Sequence, residues 1–313
     1  MRKLLSVAVS FIILAVIWAS VDAGRVIDVF RHSDRFWLAI SLFAAVPLTL
    51  ATALRFAMLS RSPIPFGACL RLILSASTLN AVLPSKMGDI AKGWVLAQKY
   101  QFPADRAVSL VVFEKMMDMA ALLLWGTFAL IWTAGSDWLL WLFTLAVAGL
   151  LLLLALLMAP FSMARRPLIW AIGFMPGKIA TRLDGFMQEW SVMADWFWSR
   201  RARAWATVLF SIAIWAGHLG QFWLFTKAVH ADVPLLDNLA FATLSILAGL
   251  LPLTMAGIGS RDAAIIHFYA QWLSPAAGAA VGVLATSRYL LPAIAGAPFV
   301  RDYWARQGSL ATK

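Results

Sequence analysis

Runs of about 20 apolar residues recur along this 313-residue chain, and the run at 138–158, WLLWLFTLAVAGLLLLLALLM, carries no charge. A helix of roughly 20 residues is long enough to cross a hydrocarbon core about 30 Å thick. Only 13% of the residues are charged and 62% are hydrophobic, whereas a soluble domain carries about 25% charged residues. The sequence therefore predicts an all-α polytopic membrane protein.

The net charge of +11 fits such a protein, because Lys and Arg collect at the cytoplasmic ends of spanning helices. Contact with anionic lipid headgroups is a second role for these residues, and we expect no nucleic-acid partner. The single cysteine, Cys69, excludes an intramolecular disulfide and a cysteine-based zinc site. The four histidines lack metal-ligand spacing, so we expect neither a metal nor a cofactor.

The distribution of positive charge predicts the topology. Arg2 and Lys3 place the N-terminus in the cytoplasm, and the basic residues after the last apolar run place the C-terminus there too. The first run is longer than the apolar part of a signal peptide, so it is predicted to remain as a helix. The predicted spanning helices lie at about 4–21, 36–56, 107–134, 138–160, 204–228 and 276–300.

The stretch NAVLPSKMGDIAKG at 80–93 interrupts this pattern with Pro84, two glycines and three charges. The apolar arm before it, Leu72–Leu83, has twelve residues and rises roughly 18 Å, too little to cross. Basic residues flank the segment on both sides, which places both ends in the cytoplasm. These features predict a re-entrant hairpin with its hinge at Pro84, enclosed by protein or by a wet cavity.

A second broken segment, LLPLTMAGIG at 250–259, repeats the Leu-Pro-x-x-Met pattern of the first, and its hinge is Pro252. Its leading arm, about Leu239–Leu251, enters from the opposite side in the predicted topology. Paired interruptions of this kind are typical of inverted repeats with a binding site near the midplane. We therefore expect about six full transmembrane helices plus two re-entrant hairpins; the alternative is eight spanning helices.

Within one integral-membrane domain, 1–313, the two halves of the repeat are predicted at about 36–160 and 204–300. An amphipathic helix at about 178–203 joins them, with apolar residues at three- and four-residue spacing. This helix is either a membrane-surface anchor or a connector packed on the bundle, and we favour the connector.

Charged residues inside predicted spans are candidates for function, because burying them is costly. Glu114 and Asp118 share one face of the helix at 107–134, and their carboxylates repel each other unless cations lie beside them. The candidate cations are Lys86, Lys92, Arg106 and Arg261. An ion-paired contact between hairpin and helix is one interpretation and a proton or ion relay is the other; the first needs fewer assumptions. Arg288 either pairs with Glu114 or Asp118 or extends to the interface.

Both broken segments resume as a helix beside cations, and a helix N-terminus with a cation favours an anion such as a phosphate. Ser260 and Asp89 are the predicted caps. Alternatively, the glycines and prolines serve backbone geometry alone and the charges are interfacial. The candidate substrate-binding residues are Lys86, Gly88, Asp89, Lys92, Gly257, Gly259, Ser260 and Arg261; the candidate buried charge network is Glu114, Lys115, Asp118, Asp262 and Arg288.

Three stretches, LNAVLPSKMGDIAKGWVL, AVSLVVFEKMMDMAALL and LLPLTMAGIGSRDAA, resemble the flippase-like, or lysylphosphatidylglycerol synthase transmembrane-region, family. The resemblance adds Asn80 to the candidate site and implies lipid translocation across the cytoplasmic (inner) membrane of a bacterium. It does not imply aminoacyl transfer, which belongs to a separate soluble domain that we do not expect here. The chain departs from the family pattern at four positions: Lys86 and Lys92 replace the usual Arg, Asp262 replaces the usual Glu, and Met255 replaces a common Pro. The resemblance therefore does not identify the lipid.

The prediction is a flippase-like lipid transporter, not an enzyme, that moves an anionic phospholipid or a polyprenyl-type lipid by alternating access. One alternative is an integral-membrane enzyme that uses Glu114, Asp118 and Asp262 on a lipid phosphate. Another is a non-catalytic partner subunit of a lipid-modifying or glycosyl-transfer enzyme in the same membrane.

Overall fold

The computed structural model describes residues 23–60, 64–83, 87–135, 137–159, 166, 170, 174–250 and 259–300. These residues form helices and turns, with no β-strand among them, which confirms the all-α prediction. The predicted helix at 4–21 lies outside the described residues. The α-helices are α1 (Ala23–Arg31), α2 (Arg35–Phe43), α3 (Ala45–Leu59), α4 (Phe66–Val82), α5 (Met87–Lys99), α6 (Ala104–Ala134), α7 (Trp138–Met158), α8 (Gly177–Trp198), α9 (Arg201–Ala228), α10 (Leu235–Leu250), α11 (Ser260–Phe268) and α12 (Pro275–Gly296).

Several helices have the length of a membrane span, which confirms a multi-pass membrane protein. The longest, α6, has 31 residues and a rise of about 46 Å. Four segments of the described chain are both long and apolar enough to cross: Arg35–Leu59, Trp138–Met158, Arg201–Ala228 and Pro275–Phe299. They correspond to predicted spans, and α1 is an additional short helix in a segment predicted as a connector.

The span Arg35–Leu59 is interrupted at Ala44, between α2 and α3. Pro47 follows three residues later and has no N–H to donate to the carbonyl of Phe43, so the ladder of helical hydrogen bonds is broken at this point. The predicted span at 36–56 is therefore present as two consecutive helical segments, α2 and α3, which together are long enough to cross.

The leading arms of the two broken segments are longer than predicted. The arm predicted at Leu72–Leu83 begins at Phe66, directly after Pro65, and α4 has 17 residues, a rise of about 26 Å. The arm predicted at Leu239–Leu251 is α10, with 16 residues, a rise of about 24 Å. Pro65 precedes the first arm, and Arg71, one of the basic residues before Leu72, lies inside α4 and not in its flank.

The trailing arms are short. α5 has 13 residues and α11 has 9, rises of about 20 Å and about 14 Å that cannot cross a core about 30 Å thick. We call α4 and α5 the first hairpin, and α10 and α11 the second hairpin. The predicted hinges, Pro84 and Pro252, lie outside the described residues.

The leading helix of each hairpin packs against the long helix that follows the other hairpin. α4 runs antiparallel to α12: the Thr78 hydroxyl donates to the Ala293 carbonyl at 2.6 Å, and Gly296 lies against Leu74. α10 runs antiparallel to α6, because Gly126 lies against Leu247 and Trp132 Nε1 donates to Asp237 at 2.7 Å. Each hairpin is thus packed against the other half of the chain: α4 contacts α12, and α10 contacts α6.

Contacts within each hairpin fix its direction. Asp89 of α5 meets Lys115 of α6, and Gly93 lies against Val111 and Ala107, so α5 is antiparallel to α6. Since α4 and α5 are joined by a hairpin, α4 runs parallel to α6 and therefore opposite to α10. The leading helices of the two hairpins point in opposite directions through the bundle.

The amphipathic helix is α8, which ends at Trp198, before the predicted 203. Its apolar stripe is buried on α6, where Phe113 contacts Trp190 at 5.3 Å and Phe197 at 5.1 Å between ring centroids. The indole N–H groups of Trp190 and Trp198 donate to the carbonyls of Leu157 and Met158 at 3.1 and 2.8 Å. They satisfy carbonyls that the end of α7 leaves without helical partners, so α8 is a packed connector.

Adding one methyl group at Gly296 is expected to destabilise the contact between α4 and α12. A Cβ atom there would lie 2.0 Å from the backbone oxygen of Leu74, and overpacking of this kind costs about 1–3 kcal/mol. The apparent melting temperature of Gly296→Ala in detergent should fall clearly below that of the native protein.

Gly149→Ala is the matched control, because a Cβ atom at Gly149 in α7 meets nothing within 4 Å. It should be neutral or slightly stabilising, since Ala favours helix over Gly by up to about 1 kcal/mol. Equal melting temperatures for the two variants would contradict the tight contact.

Candidate functional site

Three helices, α3, α5 and α6, bring six charged side chains together within the bundle. The first contact joins Arg55 of α3 to Asp118 of α6, with 2.6 Å between Nη1 and Oδ1. Arg55 is only 1% exposed. Arg55 is not among the residues predicted for the site, although an arginine flanked by Leu54 and Phe56 in an apolar run is a signal for a buried charge.

The second contact joins Lys92 of α5 to Glu114 of α6 through Nζ and Oε2. Both residues are fully buried. The Lys92 ammonium also lies 4.7 Å from the centre of the Phe56 ring and 3.8 Å from Asp89 Oδ1. Glu114 Oε1 is buried and has no hydrogen-bond partner among the described residues.

The third contact joins Lys115 of α6 to Asp89 of α5 at 3.1 Å, and Lys115 also lies 3.8 Å from Asp118. Lys115 is the most exposed member of the cluster, with 44% of its side chain accessible. These six residues, Arg55, Asp89, Lys92, Glu114, Lys115 and Asp118, form the first cluster. Three cations meet three carboxylates, so ion pairs hold α5 against α6.

Asn80 and Gly88 position Asp89 by joining the two arms of the first hairpin. Asn80 Nδ2 donates to Asp89 Oδ2 at 3.4 Å, and Asn80 Oδ1 accepts from the Gly88 N–H at 2.8 Å. A Cβ atom at Gly88 would lie 2.2 Å from the Ala76 carbonyl, so only glycine allows this approach. The prediction that Asp89 caps the helix is wrong: Asp89 lies in the first turn of α5, and its carboxylate meets Asn80 and lysines.

The second cluster lies where α11 meets α12. Arg261 donates to Asp262 Oδ1 from Nε at 3.0 Å and from Nη2 at 2.7 Å. Nη2 also donates to the Gly282 carbonyl at 3.1 Å and to the Thr286 hydroxyl at 2.8 Å. Arg261 is therefore neutralised and fixed to α12.

Gly259, and not Ser260, is the residue that precedes α11. Its N–H donates to Asp262 Oδ2 at 3.1 Å, and its φ of 102° lies in the region open to glycine. Ser260 is the first residue of the helix, so the predicted Ser260 cap is wrong and the Asp262 carboxylate satisfies the helix start. The candidates Lys86 and Gly257 lie outside the described residues.

Arg288 of α12 is a buried cation, 7% exposed, with no carboxylate within ion-pair distance in the described part of the chain. Its guanidinium lies 5.2 Å from the centre of the Phe222 ring and 5.5 Å from that of Tyr289. Neither predicted arrangement is found: Glu114 and Asp118 are paired with Lys92 and Arg55, and the Arg288 side chain is buried within the bundle.

Electrostatic interactions link Arg288 and His218 to residues of both clusters. Arg288 interacts electrostatically with Arg261, and His218 of α9 interacts with Arg288, Asp118 and Arg55. The buried Nδ1 of His218 has no hydrogen-bond partner among the described residues. The first cluster is electrically balanced, whereas Arg261, Asp262 and Arg288 together carry one excess positive charge. The described residues include no group of three or more His, Cys, Asp or Glu side chains that could hold a metal ion.

A family model described as "Lysylphosphatidylglycerol synthase TM region" matches residues 3–296, which include both hairpins and both clusters. No curated protein matches the sequence.

Replacing Asp118 with Asn should destabilise the protein strongly, because it leaves the buried Arg55 without its carboxylate. Breaking a buried ion pair from one side costs about 3–5 kcal/mol, whereas replacing both members by apolar residues is often close to neutral. The apparent melting temperature of Asp118→Asn should therefore fall further than that of the double variant Arg55→Met/Asp118→Leu.

Asp237→Asn serves as the control carboxylate, since Asp237 accepts a hydrogen bond from Trp132 at an exposed position. Its melting temperature should stay close to that of the native protein. A double variant less stable than Asp118→Asn would contradict the proposed burial cost.

Proposed function

This chain belongs to the lysylphosphatidylglycerol synthase transmembrane-region family, and we propose that it moves an anionic phospholipid, or a polyprenyl-type lipid phosphate, between the leaflets of a bacterial inner membrane. The family name supports a role in lipid metabolism or transport. The observation that carries the finer proposal is Arg288, a buried cation without a carboxylate partner among the described residues.

A cation in this position favours an anionic ligand. Burying an unpaired charge away from water is costly, and ionisable groups inside a membrane mark the sites of ligands or ions. The planar guanidinium of Arg288 matches a phosphate group, which would supply the missing negative charge through charge-assisted hydrogen bonds. The first cluster is balanced and offers no such excess, so the second hairpin is the preferred side for the headgroup.

Alternating access of two inverted halves is the proposed mechanism. The units α3–α6 and α9–α12 each contain a helix, a hairpin and a second helix. Their hairpins point in opposite directions and exchange contacts, a pattern that supports an inverted repeat with a site between the halves. Movement of the hairpins would open Arg288 first to one leaflet and then to the other. Both chain termini lie on the cytoplasmic side in this proposal.

The test is reconstitution into liposomes that contain a fluorescent phosphatidylglycerol, with a membrane-impermeant reductant added outside. The protein should accelerate loss of the inner-leaflet signal. Arg288→Gln should slow translocation about tenfold or more, because a hydrogen bond to a charged group contributes about 1.5–3 kcal/mol and 1.4 kcal/mol corresponds to tenfold. A fluorescent phosphatidylcholine should move more slowly than phosphatidylglycerol if the anionic charge is selected.

Arg203→Gln is the matched control, because the Arg203 guanidinium also lies over an aromatic ring, Trp196, at 4.1 Å. Translocation by this variant should equal that of the native protein. Mass spectrometry of the lipid recovered afterwards should find it unchanged, since the proposal involves no covalent chemistry. Equal rates in protein-free and protein-containing vesicles, for phosphatidylglycerol and for polyprenyl phosphate, would refute the proposal.

A further inference from the structure

We infer that a cavity between the start of α2 and the end of α9 binds the phosphoethanolamine headgroup of a phospholipid. The cavity has a volume of about 270 Å³ and is lined by Asp34, Trp37, Lys227, His230 and Asp232. A cavity of this size holds a headgroup, and the acyl chains must lie outside it. None of the lining residues belongs to either charge cluster, so this site is independent of the proposed translocation.

Hydrogen bonds between segments distant in sequence give the cavity its shape. The backbone N–H of Asp34 donates to the Ala228 carbonyl at 2.9 Å, and His230 Nε2 lies 2.8 Å from the His32 carbonyl oxygen. His230 also adopts a left-handed backbone conformation, with a φ of 60°, which is uncommon for a residue other than glycine. The walls of the cavity are therefore formed before a ligand arrives.

The first part of the site is a set of acceptors that suits a primary ammonium group. Asp34 Oδ1 caps α2 by accepting from the N–H groups of Phe36 and Trp37 at 2.9 and 3.2 Å, which leaves Oδ2 without a hydrogen-bond partner in the described residues. Because His230 Nε2 donates to the His32 carbonyl, Nδ1 is a further acceptor when the ring is neutral. An ammonium group carries three donors, and the face of the Trp37 ring attracts a cation.

The second part of the site is Lys227, which suits the phosphate. Lys227 pairs with Asp232, and its Nζ lies 5.3 Å from the centre of the Trp223 ring. Asp232 is 92% exposed, and an ion pair in such a position contributes little to stability. The pair therefore opens readily: the ammonium of the ligand takes Asp232, and a phosphate oxygen accepts a charge-assisted hydrogen bond from Lys227.

The charges around the cavity are balanced, which favours a zwitterion over an anion or a cation. The lining contains two carboxylates and one ammonium, and Arg35, which follows Asp34 in the chain, adds a second cation. Asp28 and Arg31 pair with each other at 3.6 Å. Phosphoethanolamine in a phospholipid carries one negative and one positive charge, so its binding leaves this balance unchanged.

The position of the cavity favours a membrane lipid over a soluble amine. The span Arg35–Leu59 starts beside it and the span Arg201–Ala228 ends beside it, which places the cavity at the level of the headgroups. Phe36, Ile40 and Phe43 are 66%, 37% and 70% exposed, and their spacing of four and three residues puts them on one face of α2. This face gives the acyl chains an apolar path from the cavity into the bilayer.

Photo-crosslinking tests the site directly. The photoreactive residue p-benzoylphenylalanine replaces Phe36, the protein is reconstituted into vesicles with equal amounts of phosphatidylethanolamine and phosphatidylcholine, and the captured lipid is identified by mass spectrometry. Phosphatidylethanolamine should be captured about tenfold more often, because phosphatidylcholine has no N–H to donate and one hydrogen bond to a charged group is worth about that factor. The same photoreactive residue at Trp138, which is 75% exposed at the start of α7, is the control and should capture both lipids equally.

The double variant Asp34→Asn/Asp232→Asn, with the photoreactive residue at position 36, should capture the two lipids equally. It removes both negative charges, while Asn at position 34 still caps α2. Asp137→Asn is the matched control and should keep the preference, since Asp137 caps α7 in the same way, 2.9 Å from the Leu139 nitrogen.

Arg288→Gln should also keep the preference for phosphatidylethanolamine, which separates this cavity from the site proposed for translocation. Equal capture of the two lipids at position 36 would overturn the inference, and so would a preference that persists in the double variant. A preference lost in Arg288→Gln would assign the lipid to Arg288 and overturn it as well. The comparison of positions 36 and 138 needs no carboxylate variant, so it decides the case even if the double variant does not fold.

Discussion

The balance of charge between α3, α5 and α6 determines how the rest of the bundle is arranged. Arg55, Lys92 and Glu114 lie where no bulk water reaches them, and an ion in that environment is tolerated only beside an opposite charge. Two pairs of the first cluster, Lys92–Glu114 and Asp89–Lys115, therefore restrict α5 to one position on α6, and the third, Arg55–Asp118, joins α3 to α6. Asn80 then fixes the end of α4 to the start of α5, so the charge balance also sets where α4 meets α12.

The two clusters differ in net charge, and this difference suits them to different roles. In the first cluster every charge is paired with another member of the cluster, so moving one helix breaks ion pairs. The first cluster therefore suits the control of a conformational change. The second cluster binds Arg261 to Asp262 and to α12 but leaves Arg288 stacked on Phe222 and Tyr289. An aromatic face offers a cation weaker compensation than a carboxylate does, and this leaves room for an exchangeable anion.

Much of the fold could be predicted from composition, apolar run length and the two Leu-Pro-x-x-Met patterns, because each of these is a local property. The starts of α4 and α10 were placed too late, since Pro65 determines the first start and a single arginine inside a helix resembles a helix end. The sequence predicted most of the residues at the site, but it did not predict which of them pair with each other. Asp118 meets Arg55, and Arg288 meets aromatic rings, and such partners depend on packing between helices distant in sequence.

The hydrogen bond from Thr78 to Ala293 joins residues 215 positions apart, and this separation affects synthesis. At about 5–20 residues per second, the ribosome needs roughly 10–40 s between making α4 and making the α12 surface that covers it. During that interval the Thr78 hydroxyl can donate only within α4, to the Leu74 carbonyl at 3.2 Å, and the α12 contact is missing. A chain shortened before α12 would therefore leave the face of α4 around Leu74 and Thr78 without its cover.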